Sequence, residues 1–216
     1  MKINNFLFTF IKNSQIYIIN VVNKLLFYLK KVAVEDNVIC NGLVGIYGPG
    51  TLTIKDNTII NSGIRYNPVG DSNKTTFFMG KNANISIGKN CGISNSSLVA
   101  FQSIIIEDNV LIGNGCKIYD TDFHSLDYRK RKDKPDTIYA KKSPVVIKES
   151  AFIGAYSIIL KGVIIGEKSI VGAGSVVTRS IPDYEIWAGN PAKFIRKIGD
   201  KNNEKKENII CASRTE

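Results

Sequence analysis

Residues 147–176 read IKESAF IGAYSI ILKGVI IGEKSI VGAGSV, five consecutive blocks of six that continue into Val177. Each block opens with Ile or Val, and its fifth place holds Ala151, Ser157, Val163, Ser169 or Ser175, all small or β-branched. A period of six is neither the 3.6 of a helix nor the long spacing of alternating strands and helices, so the backbone must turn a corner after each short strand. Three such strands close one triangular coil. The opening aliphatic side chain fills the coil, the small fifth residue sits where the wall bends inward, and Gly or Asn between them takes the positive-φ corner.

The same template fits IKDNTI from Ile54, IGKNCG from Ile87, ISNSSL from Ile93, IEDNVL from Ile106 and IGNGCK from Ile112. Stacking such coils pairs their backbones in parallel ladders, which predicts an all-β solenoid, a parallel β-helix. Buried strands of an α/β fold are a poor alternative, because the spans between blocks hold no helical pattern of ten or more residues. The phase slips by one residue between Val99 and Ile106 and is lost from Tyr119 to Pro144. A solenoid expels such insertions to its outside, where binding groups collect. The expected organisation is therefore an N-terminal amphipathic helical segment at 1–33, a β-helix over 34–182 with an external loop at 119–146, and a C-terminal segment with a polar tail at 183–216.

The chain has 216 residues, 44% of them hydrophobic and 22% charged, which is globular composition. Its net charge of +10 favours an anionic partner. The basic run RKRKDK at 129–134 lacks interleaved aromatics and a nucleic-acid fold around it, so RNA and DNA are not expected as ligands. Cys40, Cys91, Cys116 and Cys211 form no CxxC pair, which suggests neither a zinc knuckle nor a disulfide framework and points to a reducing cytoplasm. Cys91 and Cys116 stand in fifth places and read as small core residues. At the N-terminus, Ile16, Ile19, Val22, Leu25, Leu26 and Leu29 fall on one helical stripe, while Lys12, Asn13, Ser14, Gln15, Asn20, Asn23 and Lys24 interrupt any membrane-spanning run. That stripe either packs on the solenoid or a neighbouring subunit, or lies at the inner membrane surface with its lysines near anionic headgroups. No small-residue cleavage site follows it, so no signal peptide is expected.

The second interruption carries His124, the only histidine of the chain, in YDTDFHSLDYRKR at 119–131. Imidazole is the side-chain base whose ordinary pKa lies nearest to neutral pH, which makes His124 a candidate general base.

DTDFH at 120–124, the blocks at 147–177, GAGSVVTRSIPD at 172–183 and AGNPAKFIRKI at 188–198 resemble the hexapeptide-repeat acyltransferases, in particular the sugar O-acetyltransferases similar to galactoside and maltose acetyltransferases. The resemblance covers about Ser86 to Ile198. It implies a left-handed hand for the β-helix, a homotrimer, and transfer of an acetyl group from acetyl-CoA to a hydroxyl of a sugar or glycan precursor, with no metal required. Position by position it implies His124 as general base of a direct transfer and Asn95 in the acceptor site, with Asp122 or Asp120 orienting the imidazole. Gly154, Ala155, Gly172, Ala173, Thr178, Arg179, Lys193 and Arg196 match the CoA-contacting positions. Gly and Ala there are expected to let the pantetheine arm lie close to backbone amides, and Arg179, Lys193 and Arg196 suit phosphates. The N-terminal segment is unlike the polar helical start of the maltose and galactoside enzymes, which favours a membrane-proximal, polysaccharide-related acceptor. N-acetylation of an amino sugar or of a streptogramin-type antibiotic, and a purely structural solenoid, are the alternatives. A γ-carbonic anhydrase would need several histidines for its zinc, and the N-terminal segment is too short for the helical domain of a serine acetyltransferase.

Overall fold

The computed structural model describes residues 2–69, 73–132 and 134–199, with the side chains of the first helix placed from Ile16 onward. Cys211 and the polar tail lie outside the described residues, as do Gly70, Asp71 and Ser72.

The chain opens with a helix, α1 (Lys2–Leu29), and then winds into three parallel sheets that each receive one strand per turn. Among the described residues, sheet A stacks Ala33–Val34, Thr51–Ile54, Asn84–Ile87, Ser103–Ile106, Val145–Ile147 and Ile164–Ile165. Sheet B stacks Ile39–Asn41, Ile59–Asn61, Gly92–Ser94, Leu111–Ile112, Phe152–Ile153 and Ile170–Val171, and is extended by Glu185–Ala188 and the antiparallel Lys193–Lys197. Sheet C stacks Gly45–Tyr47, Thr76–Met79, Ser97–Ala100, Lys117–Tyr119, Ile158–Ile159 and Val176–Val177. The result is a triangular parallel β-helix with three edges, AB, BC and CA. The segment after residue 182 is part of it, because Ile170 pairs with Ile186 and Val171 with Trp187.

The period of six has the predicted physical cause. Ile147, Ile153, Ile159, Ile165, Val171 and Val177 open the blocks and are all buried in one core with Ile54, Ile87, Ile93, Ile106 and Ile112. The fifth-place residues Thr58, Cys91, Val110, Cys116, Ala151, Ser157, Val163, Ser169 and Ser175 are buried as well. Where they are polar, they donate to a carbonyl at the wall: Thr58 Oγ1 to Gly88 O at 2.9 Å, Ser157 Oγ to Gly172 O at 3.1 Å and Ser169 Oγ to Pro182 O at 2.6 Å. The hydroxyls therefore add bonds to the backbone ladders instead of being stranded in the core. Cys116 Sγ plays the same part toward Gly154 O at 3.2 Å. The AB edge turns on Asn37, Asn57, Asn90, Asn109, Ser150, Lys168 and Tyr184, all at positive φ.

The slip in phase before Ile106 is present, since the equivalent core places Leu98 and Ile106 are eight residues apart, but a shortened step precedes it. Core residues Ile87 and Ile93 are six apart, whereas Ile93 and Leu98 are five apart, and the small buried residue is Ser96 rather than Ser97. The shortened step is the BC corner at Asn95, whose φ is +46°.

At the N-terminal end, Asn23 clamps α1 to the first coil, donating from Nδ2 to Gly42 O at 2.9 Å and accepting from Val44 N–H at 3.3 Å. Only part of the expected stripe packs there: Leu26 and Phe27 rest against the core, while Ile16, Val22, Leu25 and Leu29 are exposed.

Candidate active site

The chain leaves sheet C after Tyr119 and returns to sheet A at Val145, so the loop 120–144 stands on the CA edge. Its base is pinched shut. Asp122 N–H donates to Lys141 O at 3.0 Å, Ser143 N–H to Asp120 O at 2.9 Å, and Thr121 bridges Lys142. Phe123 lies at φ +62°, a conformation costly for a side chain bearing Cβ. It holds this position through edge-on contacts with Tyr119 and Phe101, with ring centroids 5.0 and 6.4 Å apart. Phe123 thus turns inward onto sheet C, and the next residue, His124, turns outward.

His124 is exposed, and its Nδ1 lies 3.0 Å from Oδ2 and 3.3 Å from Oδ1 of Asp136, a carboxylate that is itself mostly buried. Asp136 opens a short 3₁₀ turn, Asp136–Tyr139, on the far limb of the same loop. The imidazole partner is therefore neither aspartate of the DTDFH motif. Asp122 is engaged by Lys161, whose Nζ is 2.7 Å from Oδ1, and it meets His124 only through its backbone carbonyl, which accepts the His124 N–H at 2.7 Å. Asp120 is buried and accepts from the backbone N–H groups of Phe101, Gln102 and Ser103 at 2.7, 2.6 and 2.7 Å, closing the CA corner. Burial pushes its carboxyl pKa upward, opposed by those three donors and by Lys142. Asp136 escaped the sequence reading because it stands twelve residues from His124 in a stretch with no repeat.

Phe123, the residue before His124, joins Phe78, Val99 and Phe101 in lining a recess of about 320 Å³ on the outer face of sheet C. Lys142 Nζ stands 5.7 Å from the Phe101 ring centroid, so a cation rims this apolar surface.

Asn95 lies elsewhere, on the BC edge. It is buried, accepts Gly63 N–H at Oδ1 (2.7 Å), and donates to Asn114 Oδ1 (2.7 Å). Asn114 in turn donates to the Tyr156 hydroxyl, which donates to Val69 O. This polar ladder straps residues 63–69 along the edge.

The eight CoA-matching residues also divide between edges. Gly154, Ala155, Gly172 and Ala173 lie at BC corners, while Thr178 and Arg179 follow sheet C onto the CA edge. Lys193 and Arg196 lie on the last strand of sheet B. The glycines have a different physical reason from the one expected. A Cβ at Gly154 would stand 2.5 Å from Ala173 N, and one at Gly172 2.7 Å from Ala188 Cβ. Their missing side chains make room for the next coil of the same chain, and of these four corner residues Ala155 and Ala173 are the ones whose side chains meet no such demand. Arg179 stacks on Trp187, with Cζ 5.1 Å from the ring.

Among the described residues, the three thiols are not poised to react. Burial pushes Cys40 up to about 12 and Cys116 up to about 11, and raises Cys91.

Comparison with known proteins agrees with this architecture. Residues 144–179 match the model described as bacterial transferase hexapeptide (six repeats), and residues 84–119 match the hexapeptide repeat of succinyl-transferase. A putative acetyltransferase of Saccharomyces cerevisiae, YJL218W, is 40% identical over 129 residues, covering 59% of this chain and 63% of that protein. The galactoside O-acetyltransferase of Escherichia coli is 36% identical over 121 residues, covering 56% of this chain and 57% of that protein. The match thus spans about three fifths of the length of these relatives. In fold, the crystal structure of the hexapeptide-repeat-containing acetyltransferase VCA0836 from Vibrio cholerae superposes with a TM-score of 0.54 at 24% identity, covering 87% of this chain and 90% of that one. With hexapeptide repeats matched in both halves of the solenoid, the chain carries the repeat and the parallel β-helix fold of the hexapeptide-repeat transferases it is similar to.

Proposed function

We propose that this protein is an acetyl-CoA-dependent acetyltransferase acting on a hydroxyl of a sugar or glycan precursor. The observation that carries the proposal is the pairing of His124 with Asp136 on the loop whose Phe123 also lines an aromatic recess. With Nδ1 held by the carboxylate, Nε2 is the ring nitrogen left to meet an acceptor. His124 takes the hydroxyl proton as the oxygen attacks the acyl carbon and returns it to the departing sulfur, and Asp136 stabilises the imidazolium that forms in between. Acetyl-CoA supplies the activated acyl thioester. Its nucleotide end suits Arg179, Lys193 and Arg196, and its arm the Ala155 and Ala173 corners. Among the described residues the thiols of Cys40, Cys91 and Cys116 are buried with raised pKa values, which supports direct transfer. Apolar ring faces of a pyranose suit Phe78 and Phe101, and the names of the galactoside O-acetyltransferase relatives support a sugar acceptor.

The active unit is a homotrimer. His124, Thr178 and Arg179 occupy the CA edge, and Asn95, Ala155 and Ala173 the BC edge, with the face of sheet C between them in one chain. Rotation about a three-fold axis sets the CA edge of one subunit against the BC edge of the next, which joins the two halves. The outer face of sheet B supports association. Ile39, Ile59, Leu111 and Phe152 stand in register on its strands and are exposed in the single chain.

Thiol release from acetyl-CoA in the presence of a panel of sugars, nucleotide sugars, amino sugars and streptogramins tests the reading. A sugar-dependent signal that falls at least a hundredfold in His124→Ala is expected. A signal only with amine acceptors overturns O-transfer, and no acetyl-CoA binding overturns the enzyme.

A further inference from the structure

α1 carries an apolar surface that its own chain does not cover. The Asn23 clamp and the Leu26 and Phe27 contacts fix which side of the helix faces the solenoid. On the opposite side, Ile18, Val21, Val22, Leu25, Tyr28 and Leu29 are between 43% and 81% exposed. At about 100° per residue these six fall within an arc of about 120°, one continuous stripe along the described part of the helix. Exposure of this extent on one element marks a binding surface rather than scattered surface hydrophobics.

Charge distinguishes the candidates for its occupant. Residues 1–34 contain Lys2, Lys12, Lys24, Lys30 and Lys31 and no Asp or Glu, the first carboxylate being Glu35. A bundle of such helices from several copies of the chain would bring those cations together with no acidic residue on α1 to pair with them. A surface bearing phosphate headgroups has the opposite sign, and accepts an apolar stripe below with lysines and tyrosines at its margin. Among the described residues no helix is long and apolar enough to cross a membrane, so the helix would lie along that surface.

We propose that α1 is a peripheral membrane anchor, its outward stripe bedded in the headgroup region of an anionic bilayer. This rests on α1 alone and stands or falls separately from the acetyltransferase reading. Anchoring would keep the solenoid beside lipid-linked or membrane-proximal acceptors.

The test is sedimentation of the full chain with vesicles of phosphatidylcholine alone and of phosphatidylcholine with 30 mol% phosphatidylglycerol. The wild type is expected to partition at least tenfold more strongly onto the anionic vesicles and to be released by 0.5 M NaCl. Val21→Glu with Leu25→Glu should remove at least nine tenths of that binding without changing the melting temperature or the mass in light scattering. Lys24→Glu with Lys31→Glu, which leaves the stripe intact, should weaken binding severalfold and serves if the first variant folds poorly. Pelleting of the wild type with neither lipid, or to the same extent with both, overturns the proposal. So does a fall in oligomeric mass of the Val21→Glu, Leu25→Glu variant with vesicle binding unchanged, which would assign the stripe to a second copy.

Discussion

Gly154→Ala separates two explanations of the same residue. If Gly154 lets a ligand approach the backbone, adding a methyl group should weaken acetyl-CoA binding and leave stability alone. The coil geometry says otherwise. A Cβ at Gly154 would lie 2.5 Å from Ala173 N, 2.7 Å from Val171 O and 2.9 Å from Ala173 Cα, all backbone atoms of the next coil. Neighbouring strands are about 4.8 Å apart, and moving these atoms to ordinary contact requires the coils to part by nearly 1 Å. That strains the Gly154 N–H to Val171 O bond, now 2.8 Å, and the adjoining ladder. Overpacking of this kind costs about 1–3 kcal/mol, and a weakened ladder bond adds about 1 kcal/mol. The sum, about 3 kcal/mol, corresponds to a fall in Tm of about 6–12 °C for a chain of this size. Gly174→Ala is the control, since its Cβ meets nothing within 4 Å and the cost there is only that of φ +69°, about 1–2 kcal/mol. Thermal unfolding followed by circular dichroism reads both variants. A Gly154→Ala protein with wild-type Tm and a raised KM for acetyl-CoA would refute the stacking explanation.

Asp136→Asn should lower kcat tenfold or more, because the neutral amide no longer stabilises the imidazolium; Asp122→Asn, away from the ring, should leave kcat close to wild type. Asp120→Asn presents an NH₂ group to backbone donors that now share two carboxylate oxygens, so it should destabilise the fold by about 2–3 kcal/mol, read as a lower Tm. Arg179→Ala and Lys193→Ala should raise the KM for acetyl-CoA with smaller effect on kcat, as expected when ground-state binding is lost.

The fold was legible because its period is enforced at every step. Each Ile or Val at a block start is buried, and the corner after it selects a residue that tolerates positive φ, most often Asn on the AB edge. What the period does not encode is which of three edges a corner belongs to. Asn95 and His124 are 29 residues apart in sequence, a spacing that says nothing about their lying on different edges. Asp136 was invisible for the related reason that the 120–144 loop has no repeat, and its pairing with His124 depends on how the two limbs fold back. Gly154 and Gly172 were found as positions, but their cause was not, since a demand for space from the next coil looks the same in sequence as a demand from a ligand. The α1 stripe was half legible: the spacing located the helix, but the face docked on the solenoid is fixed by Asn23, a polar residue no apolar pattern would select.

The central claim is that the site is completed between subunits, with His124 from one edge and the Ala155–Ala173 corners from another. It is tested most directly by mixing two inactive chains. His124→Ala removes the base, and Ala173→Trp fills the exposed BC corner without entering the core. Each homo-oligomer should be inactive while keeping the mass and Tm of the wild type. After co-expression and random assembly into trimers, roughly a quarter of the interfaces should combine an intact His124 with an intact Ala173, restoring acetyl transfer to about that fraction of wild type. Activity of the mixture no higher than that of either variant alone would place the whole site within one chain and contradict the account.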